Sequence, residues 1–503
     1  MKFNNLSQFI KYFIFQQKKY FIILPILHLA WALDQTLLPL AFKSFLDILT
    51  NFTGNKAEIW TKIAVPLAFG GGLWIMIEIM YRTYDYISTT VFPKFQSDIR
   101  LYMIKYLQRH SYGFFSNNFS GSLSNKINDM ASEASLILES IIVFFIPTIL
   151  AMIIGGFIFA SFHPYFAFIL FIWFFVHIGI SLFYAKKCNE YSYTHSKSRS
   201  HLTGRVVDGF TNIFAIKGFA RGANEIAELG KYQIDEKNKN IKLNRLLFKI
   251  RLLQGSFCFL MMGILVVWAI VTNWQKNIIT APEAVYIFYT SWGLTMMSFF
   301  SGWQIAIFFK SLGICRQAFK IISLPHEIKE IENAKPLEIK KTDIIYENIT
   351  FYHEENKNLF KNSNLIIKAG TKLGLVGESG SGKTSLINLL MRFYDLESGR
   401  ILIDNQDISR VQLDSLRKNI TLIPQDPTLF HRTIYENISY GKNNVTKKEV
   451  IEASKKAHCH DFISELKDGY DTYVGERGAK LSGGQRQRIS IARAILKDAP
   501  ILI

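Results

Sequence analysis

Gly377, Glu378, Ser379, Gly380, Ser381, Gly382, Lys383 and Thr384 follow the spacing G-x-x-x-x-G-K-T, and Ser385 continues into the helix-forming run TSLINLLMRF. Glycines without a Cβ let successive backbone N–H groups curl around anionic oxygens. The helix opening at Lys383 would turn its positive end toward the same place. Lys383 would neutralise the β- and γ-phosphate oxygens of a nucleotide, and the Thr384 hydroxyl would ligate Mg²⁺. An ordinary glycine-rich turn has no need of Lys-Thr at this offset. The pattern predicts a phosphate-binding loop.

A second helix start, Leu481-Ser482-Gly483-Gly484-Gln485, leads into RISIARAILK. Ser482 and Gln485 have the spacing of a capping box, and the two glycines between them leave backbone N–H groups accessible. This is again an anion-facing helix N-terminus. To position both loops, the residues from about 341 onward must alternate strands and helices. Strands are expected near 344–352, 364–368, 373–376, 400–404 and 420–424, and helices at 446–465 and 482–497. Such alternation predicts an α/β domain with a largely parallel sheet. His458-Cys459-His460 is read as a solvated helix face, because residues two apart on a helix diverge.

The first three-fifths of the chain has another character. Hydrophobic residues make up 49% of the 503, and mean hydropathy is positive, which a soluble nucleotide-binding protein would not show. Six apolar segments, at about 20–49, 60–88, 135–162, 164–187, 250–274 and 282–311, each suffice for the ~20 residues a bilayer demands. Residues 1–19 read as a basic amphipathic helix lying on the membrane surface. The net charge of +18 could suggest nucleic acid. The lysines and arginines gather instead in the long loops 89–134 and 188–249, so the positive-inside rule places those loops and both termini in the cytoplasm. No nucleic-acid partner is expected. Four cysteines without paired spacing indicate neither disulfides nor a zinc site. Asp34 and Glu78 fall inside apolar segments, where a charge usually faces a cavity or a partner. Both are substrate-contact candidates, although a structural polar contact between helices is the commoner role. Residues 316–340, with Pro325 and Pro336, form a charged linker.

With LSGGQRQR and the phosphate loop on one chain, the sequence resembles an ATP-binding cassette (ABC) exporter half-transporter. The expected fold is an all-α membrane domain of six helices (20–315) ahead of an α/β phosphate-loop NTPase domain (341–503). Leu422-Ile423-Pro424-Gln425 resembles the family's Q-loop, and Tyr473 to Gly478 its X-loop. Phe114-Phe115 with Gly121, and Gly209 to Phe219, resemble its two coupling regions. The resemblance implies a dimer of two halves, homodimeric or heterodimeric. Each ATP would lie between the phosphate loop of one half and Ser482, Gly483, Gly484 and Gln485 of the other. Gln425 would contact Mg²⁺ and the attacking water. It further implies ATP-driven export of a hydrophobic or amphipathic, lipid- or drug-like substrate across the bacterial inner membrane.

Two departures stand out. Family members carry an aromatic residue two positions after a first-strand Phe. Here Phe351 is followed by Tyr352 and then His353, so His353 is expected to meet the adenine and Tyr352 to point away. The chain also stops at Ile503, inside the strand that in the family ends in the Mg²⁺-binding Asp and the catalytic Glu. The cassette is therefore expected to be incomplete, as a fragment of a longer product or a truncated, inactive form. The alternative function is a half that binds ATP without hydrolysing it and regulates a complete partner. A soluble ATPase of the DNA-repair type is excluded by the apolar segments.

Overall fold

The computed structural model describes residues 3–116, 118–352 and 358–503. They divide into two units, Met1–His110 with Phe114–Pro325, and Ser111–Gly113 with His326–Ile503.

The first unit is helical. Asn5 caps α1 (Leu6–Gln16) by accepting from the Gln8 N–H at 2.9 Å, and Leu6, Phe9, Ile10 and Phe13 form its buried stripe. That i, i+3, i+4, i+7 stripe packs against Phe95, Tyr102 and Phe319 of the same unit. The apolar stripe of this helix, expected to lie on the membrane surface, is covered by the bundle itself. An amphipathic stripe buries whatever apolar surface reaches it first, and here the bundle does.

α2 (Lys18–His28), α3 (Ala30–Asn51), α4 (Ile59–Leu107), α5 (Tyr112–Ser116) and α6 (Ser120–Glu139) follow. A π-helical turn, Ser140–Phe145, joins α6 to α7 (Ile146–Phe162), and α8 runs from Pro164 to Thr211. α9 (Ile213–Gly218) and α10 (Gly222–Leu260) come next. A second π-helical turn, Met261–Val266, precedes α11 (Val267–Gln275), and α12 (Ala281–Phe319) closes the unit. Among the described residues, five helical stretches are long and apolar enough to cross a membrane. The sixth expected segment lies on α12, a continuous 39-residue helix. Its buried face interleaves Leu294 and Met297 with Thr290, Ser291, Thr295 and Ser298, which lowers its hydropathy without breaking it. Most long helices run well past the ~20 residues a bilayer needs. A Cβ at Gly155 would press on the Leu294 side chain and one at Gly156 on the Phe171 ring, so that a neighbour would have to shift, whereas Gly179 and Gly263 face open space.

The second unit holds two cores. In the first, β1 (Ile344–Tyr352), β2 (Asn358–Ile367), β3 (Ser398–Ile403) and β4 (Gln406–Asp407) form one antiparallel sheet in the order β2-β1-β3-β4. β1 buries Ile344 and Tyr346, then Ile349 and Phe351. A bulge at Asn348, with φ +46°, shifts the alternation by one residue so that both pairs face α13 (Lys383–Leu390). The short α14 (Leu413–Lys418) follows β4. β5 (Ile420–Thr421) and β6 (Ile501–Leu502) form the parallel pair among the described strands. The largely parallel sheet expected from the sequence is therefore corrected. Leu373–Val376 has no ladder partner among the described residues, and Val376 is 98% exposed.

The second core is formed by α15 (Ile434–Ser439), α16 (Lys447–Lys456), α17 (His460–Glu465) and α18 (Gly483–Lys497). The single helix expected over 446–465 breaks at His458, whose φ is +52°. His458 is exposed, Cys459 is buried, and His460 Nδ1 lies 3.0 Å from the Tyr470 hydroxyl, so the triplet marks a helix break rather than a solvated face. All four cysteines are free and buried. The linker ends in a clamp where the Asp404 carboxylate accepts backbone N–H groups of Lys340, Lys341, Thr342 and Asp343.

Candidate functional site

The phosphate loop is built on positive φ angles. Gly380 (φ +85°) and Gly382 (φ +96°) take conformations that side chains rarely adopt, and Gly382 is the N-cap of α13. No side chain caps that helix. The Lys383 ammonium folds back over the loop, donating to the carbonyls of Gly377 at 2.7 Å and Glu378 at 2.8 Å. The Ser381 hydroxyl lies 3.4 Å from the same nitrogen. Ser379 and Thr384 are exposed. The result is a cation held over an exposed, uncapped helix start, an arrangement able to receive an anion.

The LSGGQ loop is built differently. Ser482 adopts extended backbone angles, and its hydroxyl accepts the Gln485 N–H at 3.2 Å. The Gln485 side chain accepts the Ser482 N–H at 2.9 Å, completing the capping box. A Cβ at Gly484 would meet nothing within 4 Å, so this backbone stays open to an approaching group. Leu481 is buried below the loop, and its carbonyl accepts from Arg486 at 2.9 Å.

Gln425 is exposed, just beyond the pairing of Ile423 N–H with the Ile503 carbonyl at 2.8 Å. The segment after it is fixed by a residue that the sequence did not single out. Asn437 is fully buried; its side chain accepts the Phe430 N–H at 2.9 Å and donates to the carbonyls of Phe430 and Thr433, each at 3.0 Å. From α18, Arg493 donates to the Asn437 backbone carbonyl at 2.8 Å and to its side-chain oxygen at 3.0 Å. The guanidinium also lies over the rings of Phe430 and Tyr440. The Gln425 segment and the LSGGQ helix thus share one buried polar hub. A lone Asn on a short helix carries no sequence signal for this.

Tyr352 is half-buried at the end of β1, on the face opposite Phe351. His353 lies outside the described residues. Glu78 is on an exposed face of α4, with its carboxylate 2.7 Å from Arg82, and enters none of the described cavities. Asp34, by contrast, lines a cavity of about 310 Å³ with Phe42, Lys43, Tyr286 and Tyr289. Its carboxylate accepts from Gln35 at 2.7 Å, and Lys43 is already engaged by Asp47 at 2.9 Å. Both acids lie within electrostatic reach of Tyr81.

The ABC transporter transmembrane region family matches residues 21–299, and the ABC transporter family, the cassette, matches 360–503. The chain belongs to the ABC transporter family. It is 30% identical to an uncharacterized ABC transporter ATP-binding protein of Haemophilus influenzae, over 99% of this chain and 82% of that protein. It is 32% identical to a Staphylococcus aureus protein provisionally named a multidrug export ATP-binding/permease protein, over 93% and 81%. A bacterial Atm1-family ABC exporter solved with ATP bound superposes with a TM-score of 0.88 at 25% identity, covering 96% of this chain and 85% of that one. As an ABC transporter of exporter type, this chain is an integral membrane half-transporter and ATPase that binds ATP, drives export and works with a second half.

Proposed function

We propose that this ABC transporter exports a hydrophobic or amphipathic substrate, lipid- or drug-like, across the bacterial inner membrane by alternating access. The observation that carries this reading is the contrast between its two helix starts. The loop at Gly377–Thr384 offers a cation and an uncapped helix; the loop at Ser482–Gln485 offers an exposed serine and bare glycines on a helix already capped. Each is half of a phosphate site. In a head-to-tail dimer, Lys383 and the loop glycines of one half would hold ATP against Ser482 and Gly484 of the other. Thr384 and Gln425 are exposed oxygen donors, the type a hard cation prefers. They would hold Mg²⁺, which keeps phosphate oxygens and waters as its remaining ligands. Closure of the two cassettes would turn the bundle outward, and hydrolysis would reset it.

The basic loops 89–134 and 188–249 support an orientation with cassette and termini in the cytoplasm. The Asp34 cavity, walled by three aromatic rings, supports an amphipathic substrate better than a sugar. The test pairs two tagged populations in one membrane, one carrying Ser379→Cys and the other Ser482→Cys. ATP-dependent disulfides between the two tags are expected. Disulfides absent, or formed only in a chain carrying both cysteines, would sink the head-to-tail site.

A further inference from the structure

A cavity of about 750 Å³ opens between α6, α8, α10 and α12, and four lysines line it, namely Lys126, Lys197, Lys239 and Lys320. One acid, Asp235, also lines the cavity and neutralises Lys239, and the acids nearby are paired. Asp235 is paired with Lys239 at 2.6 Å, Asp129 with Arg199 at 2.6 Å, and Glu236 with His195 at 2.8 Å. Lys320 lies 5.0 Å over the Tyr193 ring. Among the described residues, neither Lys126 nor Lys197 has a carboxylate within ion-pair distance, although each is within electrostatic reach of the other. Two like charges facing one cavity repel, and a bound anion would relieve that repulsion. One further group points the same way. Gln317 lines the cavity, is 6% exposed, and its amide oxygen has no hydrogen-bond partner. Turning that amide over would present its NH₂ to an anion at no cost in shape.

We infer that this cavity binds a soluble anion bearing two or more phosphate or carboxylate groups. Position argues against a lipid headgroup. The four lysines stand nine to eleven residues past the ends of the apolar segments at 135, 187, 250 and 311. That is about 14–17 Å along a helix, whereas the headgroup layer is only about 5–8 Å thick on each side. A soluble molecule reaches this depth; a phosphate tied to acyl chains does not. The site does not depend on which substrate the transporter carries, nor on the ATP site.

The test is calorimetric titration of the purified full chain with citrate and with pyrophosphate. Lys383→Ala serves as a background that removes the phosphate loop as a competing anion site. Binding is expected to survive Lys383→Ala and to weaken at least tenfold in Lys126→Gln/Lys197→Gln. The Lys126→Arg/Lys197→Arg chain is expected to restore it, and added salt to weaken it. Unchanged ATP affinity and melting temperature would show that the Gln variant is folded. No binding to the intact chain, or binding indifferent to the Gln substitutions, overturns the inference. A parallel arm counts phosphatidylglycerol retained from nanodiscs. If the Gln variant loses that lipid while no soluble anion binds, the ligand is a headgroup and the soluble assignment is wrong.

Discussion

The two helix starts of the cassette satisfy the same electrostatic need by opposite means. α18 begins with a reciprocal capping box, so the Ser482 and Gln485 N–H groups have partners before any ligand arrives, while the Gly483–Gly484 backbone between them stays open. α13 begins on a left-handed glycine with no side-chain cap, and the cation beside it is held by two loop carbonyls. The LSGGQ element is thus pre-formed and stiff, while the phosphate loop keeps its strongest donors poised for an anion. The proposed site, assembled from one finished half and one waiting half, suits a switch that closes only when nucleotide arrives.

The largest effect expected from breaking this contrast is at Lys383. Lys383→Ala should weaken nucleotide binding by about tenfold or more and lower ATP turnover by about a hundredfold. Fluorescent-nucleotide titration and phosphate release would measure both, and full-strength nucleotide binding would dismiss the loop assignment. Next comes the shared hub. Asn437→Ala leaves the Phe430 N–H and an Arg493 donor without their partner at a buried position, which should destabilise the cassette by about 3 kcal/mol. A melting temperature equal to wild type would show that the hub carries no stability.

Ser482 offers the sharpest comparison. Ser482→Asp keeps a good N-cap acceptor but sets a carboxylate where a phosphate is proposed to sit. The melting temperature should hold while ATP-dependent cross-linking of the two halves disappears. Cross-linking that persists in the folded variant would place the phosphate elsewhere. Asp34→Asn should alter transport in vesicles and leave nucleotide affinity unchanged. Identical uptake by mutant and wild-type vesicles would take Asp34 off the substrate path.

The smallest effect concerns pH. Glu449 accepts the Thr446 N–H and hydroxyl and faces Lys442, which together hold its carboxyl down at about 2. A depressed carboxyl favours the folded state above its ordinary value of about 4.5 and loses that contribution as pH falls toward about 2. Amide exchange in α16 should therefore quicken over that acid window, and Glu449→Gln should flatten the dependence. A pH profile that the substitution leaves unchanged would refute the assignment.

What the chain's own sequence determined is what depends on neighbours in sequence. The Lys-Thr offset after Gly382, the Ser482–Gln485 spacing and the long apolar runs are local patterns, and capping geometry and hydrophobic length are local physics. The amphipathic stripe of α1 was equally legible, but not what would cover it. Tertiary structure alone decided that the stripe meets the Phe95 cluster, because burial goes to the apolar surface within reach. It alone decided that strands 344–403 pair antiparallel, since ladder partners lie far apart in sequence. The same holds for Asn437 and Arg493, which are 56 residues apart, and for the lysines of four separate helices that meet around one cavity. Long-range hydrogen bonds and converging charges leave no periodicity behind, so a single chain read in order does not announce them.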